Sequence, residues 1–95
     1  MIVSFKDKET EKVFNQSFST KLPADIQKRA FFKLLSIHRC NKITDLSVNN
    51  GNRLESLSGN REGTYSIRIN KQWRICFIPI DNWSNFIEVG IEEYH

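Results

Sequence analysis

The sequence has no apolar run approaching the roughly 18 residues that a membrane-spanning helix needs, so no such helix is expected. Its start, Met1-Ile2-Val3-Ser4-Phe5-Lys6, lacks the charged lead and long apolar stretch of a secretion signal. Cysteine is scarce: Cys40 and Cys76 stand far apart with no CxxC. Two thiols allow one disulfide but no disulfide framework, and reduced, partly buried thiols are expected. Histidine is as rare. His38 and Cys40 lie two apart on a helix and face apart, His95 is the only other histidine, and no four-ligand zinc spacing exists. Gly59 and Gly63 bracket Asn60-Arg61-Glu62, with no Lys-Ser/Thr following, so this is not a phosphate-binding loop of the NTPase type. Internal repeats and low-complexity tracts are absent as well.

What is present fits one domain spanning 1–95. At 11.2 kDa the chain should fold to roughly 5,700 Å² of surface from roughly 16,000 Å² unfolded, enough for one modest core. The net charge of +3 hides an asymmetry: residues 1–80 hold all 14 basic residues against seven acids, a balance of +7. Residues 81–95 carry only Asp81, Glu88, Glu92 and Glu93. A basic body with an acidic end points toward an anionic partner.

Hydrophobic periodicity divides the chain. Ile2-Val3-Ser4-Phe5 reads as a short strand. Asp7 is a helix N-cap with Glu9 and Glu11 in the first turn, and Val13, Phe14 and Phe18 form that helix's apolar side. Pro23 and Asp25 open a second helix, with Ile26, Ala30, Leu34 and Ile37 on a 3.6-residue stripe and Gln27, Lys28, Arg29 and Lys33 off it. Phe31 and Phe32 are read as core rather than as a stacking platform. Residues 41–52 read as a link ending in the turn Asn49-Asn50-Gly51-Asn52. The period then changes to two, with strands around Arg53–Leu57, Tyr65–Ile69, Trp73–Ile78 and Ile87–Ile91. The order β-α-α-β-β-β-β implies an α+β fold, its helices packed on one face of a mainly antiparallel sheet. Trp83, in a polar loop, is either an exposed contact or a ring folded back on the sheet edge.

Strand register brings chemistry together. Keeping Ile67, Ile69, Trp73, Ile75 and Phe77 on one face pairs Tyr65 with Phe77 and Ile67 with Ile75. Arg68 then stands opposite Arg74, a like-charge pair that costs about 0.2–1 kcal/mol unless an anion neutralises it. Matching Ile75 with Ile91 and Phe77 with Val89 sets Arg74 opposite Glu92. Glu93 and His95 then extend one face, Glu92 and Tyr94 the other. Imidazole, phenol, carboxylate and guanidinium gather at one end of a sheet, a set able to move protons and clamp a phosphate. A solvated polar face with an ion pair is the plainer alternative.

The ordered series Arg53-Leu54…Leu57-Ser58-Gly59-Asn60-Arg61-Glu62-Gly63, Ser66-Ile67-Arg68-Ile69-Asn70, Trp73-Arg74 and Glu93-Tyr94-His95 resembles the HigB-type toxins of the RelE/ParE superfamily over essentially the whole chain. The resemblance implies a RelE/ParE-like fold with a twisted sheet, and a ribosome-dependent mRNA endonuclease in the bacterial cytoplasm that needs no metal or other cofactor. In such enzymes the RNA 2′-hydroxyl attacks the adjacent phosphorus. By the resemblance, His95 is the proton-transfer residue, Tyr94 orients the substrate, Glu93 is a supporting carboxylate and Arg74 holds the scissile phosphate with Arg68 or Arg61. Arg53 and Lys71 are RNA-backbone contacts. Some members place His and Lys where Glu55 and Ser58 stand here. Glu55 is then a candidate acid/base, and slower or more conditional cleavage is expected. The implied partners are the 70S ribosome, its mRNA and a HigA-type helix-turn-helix antitoxin, with DNA reached only through that antitoxin. A gyrase-binding toxin of the ParE group, or a weakly active toxin serving as antitoxin-bound co-regulator, are the alternatives.

Overall fold

The Asp7 side chain starts the first helix as its position predicts. Its Oδ1 accepts from the Thr10 N–H at 2.7 Å, and Glu9 and Glu11 occupy the first turn. The computed structural model describes residues 1–94 and bounds this helix, α1, at Lys8–Phe14. It stops short of the predicted apolar stripe. Gln16 adopts φ 61 and turns the chain, so Phe18 lies in a loop and is 64% exposed. Gln27 pins that loop: its side chain accepts from Ser19 N and donates to the Ser19 and Leu22 carbonyls. Gln27 is therefore buried although it lies off the stripe.

Helix α2, Ala24–His38, follows Pro23, whose fixed φ suits a helix start. Ile26, Ala30, Leu34 and Ile37 are buried as the 3.6 period requires. Phe31 packs on the core edge, but Phe32 is 55% exposed, so only one of the adjacent rings is core. The link contains a short helix α3, Thr44–Ser47, which buries Leu46, and a turn of 3-10 helix at Asn50–Asn52. The Asn52 amide is buried and donates to the Leu46 carbonyl.

The described residues form four antiparallel strands in the order β1 (Glu55–Ser56), β2 (Tyr65–Arg68), β3 (Trp73–Ile80) and β4 (Asn85–Glu93). Residues Ile2 and Phe5 bridge Phe86 and Val89 in parallel, laying the first segment along the free side of β4. Helices α1 and α2 contact β4, and α2 also contacts β3. Ile67, Ile75, Phe77, Phe86 and Val89 meet the α2 stripe in the core. Each such side chain contributes about 1.5–3 kcal/mol by leaving water. Thr10 Oγ1 accepts from the Ile91 N–H at 2.9 Å, fastening α1 to β4. Trp83 folds back, its ring centroid 4.9 Å from that of Tyr65 and edge-on to Phe77 and Phe86. Both cysteines are free and buried.

The β2–β3 register is the one the alternation predicts: Tyr65 opposite Phe77, Ile67 opposite Ile75, Arg68 opposite Arg74. The β3–β4 register holds from Ile75–Ile91 through Arg74–Glu92. It shifts between Cys76 and Ile78, where β4 carries an extra residue and Glu88 has φ 54. The expected Phe77–Val89 pair falls on this bulge and is not formed as a regular partner pair.

Candidate active site

The β2–β3 hairpin turns on Asn70, whose Oδ1 accepts from the N–H groups of Gln72 and Trp73 at 2.8 Å each. This tight turn projects Lys71. Tyr94 N donates to the Gln72 carbonyl at 2.8 Å, so Tyr94, just past β4, stays beside the same turn. Arg53, just after the Asn50–Asn52 turn, holds a left-handed backbone (φ 45, ψ 53), costing about 1 kcal/mol or more. These constraints place Arg53, Glu55, Arg68, Lys71 and Tyr94 around one cleft of about 260 Å³. Arg74 adjoins the cleft through Tyr94, its guanidinium carbon 5.1 Å from the centroid of that ring. That cation–π contact is worth about 0.5–2 kcal/mol, depending on desolvation. Arg74 Nε is buried without a hydrogen-bond partner among the described residues.

The expected pairing of Arg74 with Glu92 needs correction. The two residues are opposite in register, but the Glu92 carboxylate is taken by Arg61. Arg61 Nη1 donates to Oε1 at 2.8 Å and Nη2 to Oε2 at 2.9 Å, with Lys6 Nζ at 3.2 Å. The Arg61 fork matches both carboxylate oxygens, whereas the Arg74 guanidinium is turned to the Tyr94 ring and toward Glu55. Arg61 hydrogen bonding holds the Glu92 carboxyl down to about 2 against burial, and Lys6 adds to the effect. The Arg61 guanidinium is held charged in return, and burial next to Glu92 pushes the Cys76 thiol up to about 11. Arg61 is thereby committed to Glu92 and does not line the cleft. Gly90 makes room for the clamp, since a Cβ there would sit 3.1 Å from Lys6 Cβ. Arg74 is left with Glu55, 3.9 Å away and half exposed.

Of the residues singled out from sequence, the structure joins Arg53, Glu55, Arg68, Lys71, Arg74 and Tyr94. Glu93 does not line the cleft; its carboxylate accepts from Gln72 Nε2 at 2.8 Å on the exposed side of the hairpin. His95 lies outside the described residues. Sequence reasoning missed Arg29. It reaches from α2 to donate to the Ile69 carbonyl at 3.1 Å, at the root of the hairpin turn. Its place off the apolar stripe was the available signal, but nothing in the spacing named its target.

A family model described as RelE-like toxin of type II toxin–antitoxin system HigB matches residues 3–89. The chain belongs to this HigB-like toxin family. Toxin HigB-1 of Vibrio cholerae is 38% identical over 82 residues, covering 85% of this chain and 86% of that toxin. Endoribonuclease HigB of Proteus vulgaris is 34% identical over 95 residues, covering 100% of both chains. The backbone resembles the YoeB–YefM complex from Staphylococcus aureus with a TM-score of 0.54 at 20% identity, covering 100% of this chain and 98% of that one. The likeness shows a fold shared with RelE-type toxins. The family match includes the cationic cleft residues Arg53, Arg68 and Lys71 and the adjoining Arg74, while Glu92–His95 lie beyond its end.

Proposed function

We propose that the cleft is the cutting site of an endoribonuclease that acts on mRNA at the translating ribosome. The observation that carries this reading is the convergence of Arg53, Arg68 and Lys71 with the Tyr94 phenol around a space holding one exposed carboxylate, Glu55, with Arg74 held against Tyr94 and Glu55. Three cations lining one concavity, with Arg74 beside them, suit a phosphodiester and the charge that develops on it in the transition state. The name of the full-length Proteus relative supports the same activity. In this mechanism the 2′-oxygen forms a bond to phosphorus as the bond to the 5′-oxygen breaks. One proton leaves the 2′-hydroxyl and one reaches the departing oxygen. Arg74, steadied on the Tyr94 ring, holds the scissile phosphate with Arg68, while Arg53 and Lys71 hold the flanking backbone. His95 transfers the proton, and Glu93, tied to Gln72, supports that segment. The +7 body favours approach to a ribosome in the bacterial cytoplasm. A HigA-type antitoxin neutralises the toxin and carries the pair to DNA.

The test is expression without antitoxin, followed by mapping of mRNA 5′ ends. Codon-phased cuts that vanish in His95→Gln are expected. Growth arrest with intact mRNA would overturn the reading, and accompanying DNA damage would favour a gyrase-directed toxin.

A further inference from the structure

The cleft does not end at the hairpin. It shares Arg53, Arg68 and Lys71 with a second hollow of about 400 Å³ that adds Arg29. Arg29 in turn borders a third, of about 530 Å³, running along α2 past Lys28, Lys33 and the exposed Phe32. The shared residues set three neighbouring hollows in series, a trough line from Tyr94 to the outer ridge of α2 with Arg29 at the junction of the second and third. Lys28, Phe32 and Ser36 follow at i, i+4 and i+8, a ridge about 12 Å long. Among the described residues none of Lys28, Arg29, Lys33, Arg53, Arg68 and Lys71 is ion-paired. Asp25 is the one acid on the α2 stretch.

We propose that this trough is a track for single-stranded RNA flanking the cut site, with Lys28, Arg29 and Lys33 against the backbone and Phe32 as a stacking platform. The inference rests on the cleft being the RNA-cleaving site and adds to it a second, separate binding segment. A groove with unpaired cations and one presented aromatic ring matches how sequence-tolerant single-strand binders work. A protein partner would want a block of apolar anchors, and this trough offers one ring among Asn49, Asn52 and Ser36.

The experiment uses the full chain with His95→Gln as cleavage-blocked parent and fluorescently labelled RNA of four and of twelve nucleotides at low salt. The parent should bind the longer RNA more tightly. Lys28→Gln with Phe32→Ala, two exposed side chains without hydrogen bonds among the described residues, should weaken the longer RNA about tenfold. It should flatten its salt slope by about 0.7 and leave the shorter RNA unchanged. No gain from four to twelve nucleotides, or equal affinity of parent and variant for the longer RNA, overturns the track. So does a variant that loses antitoxin while keeping RNA, which would make the ridge a protein-docking face. Arg68→Gln reports on the cleft separately: if it alters neither RNA while the α2 variant weakens the longer one, the cleft reading fails and RNA binding is confined to the α2 ridge, which overturns a track flanking the cut site.

Discussion

Replacing Glu92 by Gln removes one charge from the Arg61–Glu92–Lys6 clamp while keeping its shape. The native carboxyl titrates at about 2 against an ordinary value of 4.5. Its folded form therefore binds fewer protons than its unfolded form. The clamp's stabilisation is complete above about pH 4.5 and is lost as pH falls through about 2. Full conversion of the depression would give about 3.4 kcal/mol. The side chains of Glu92 and Arg61 are 20% and 35% exposed, so solvent screening brings the value to about 1–2 kcal/mol. For a domain of this size that is a melting-point loss of about 5–15 °C. Urea unfolding followed by the fluorescence of Trp73 and Trp83 measures it. At pH 7 the Gln variant should be less stable by that amount, and the gap should narrow steadily between pH 4.5 and 2.5. A gap that is absent at pH 7, or that stays constant down to pH 2.5, refutes the clamp as a charge-dependent element.

Arg68→Gln should cut cleavage at least about tenfold, as loss of a charge stabilising the transition state does. The same change relieves the opposition to Arg74, so thermal stability should hold or rise by about 0.2–1 kcal/mol. Asp7→Ala removes the cap on Thr10 N and should cost about 1 kcal/mol in denaturant melts with cleavage intact. Gly90→Ala sets a Cβ 3.1 Å from Lys6 Cβ and should destabilise by about 1–2 kcal/mol. A neutral Gly90→Ala in the same melts would mean that Lys6 gives way freely.

The hairpin was legible because a period of two tolerates one register, and that register alone sets Arg68 against Arg74. The Glu88 bulge was not, because Phe77 and Val89 alternate as smoothly as a regular ladder would. The exchange of partners at Glu92 was hidden for another reason: strand register places Cα atoms, while a long arginine from a loop chooses its own carboxylate. Phe18 and Phe32 misled in the same way. Apolarity marks a residue that tends inward, but the turn at Gln16 and the narrow width of the α2 stripe left both rings outside. Cleft membership was readable for five of the named residues, and the contact of Arg74 with two of them, since they gather at one end of one sheet, whereas Arg29 arrives from a helix forty residues away in sequence from the Ile69 carbonyl it binds.

Strand β4 ends the four-stranded sheet, with β3 on one side and Ile2 and Phe5 bridged to its other. Until β4 is made, the first segment has no strand to lie against and Thr10 has no Ile91 N–H to accept from. A nascent chain therefore cannot complete its core one element at a time from the front. The same late-arriving strand leads directly into Tyr94. Closing the core and placing Tyr94 beside the hairpin turn therefore depend on one and the same strand.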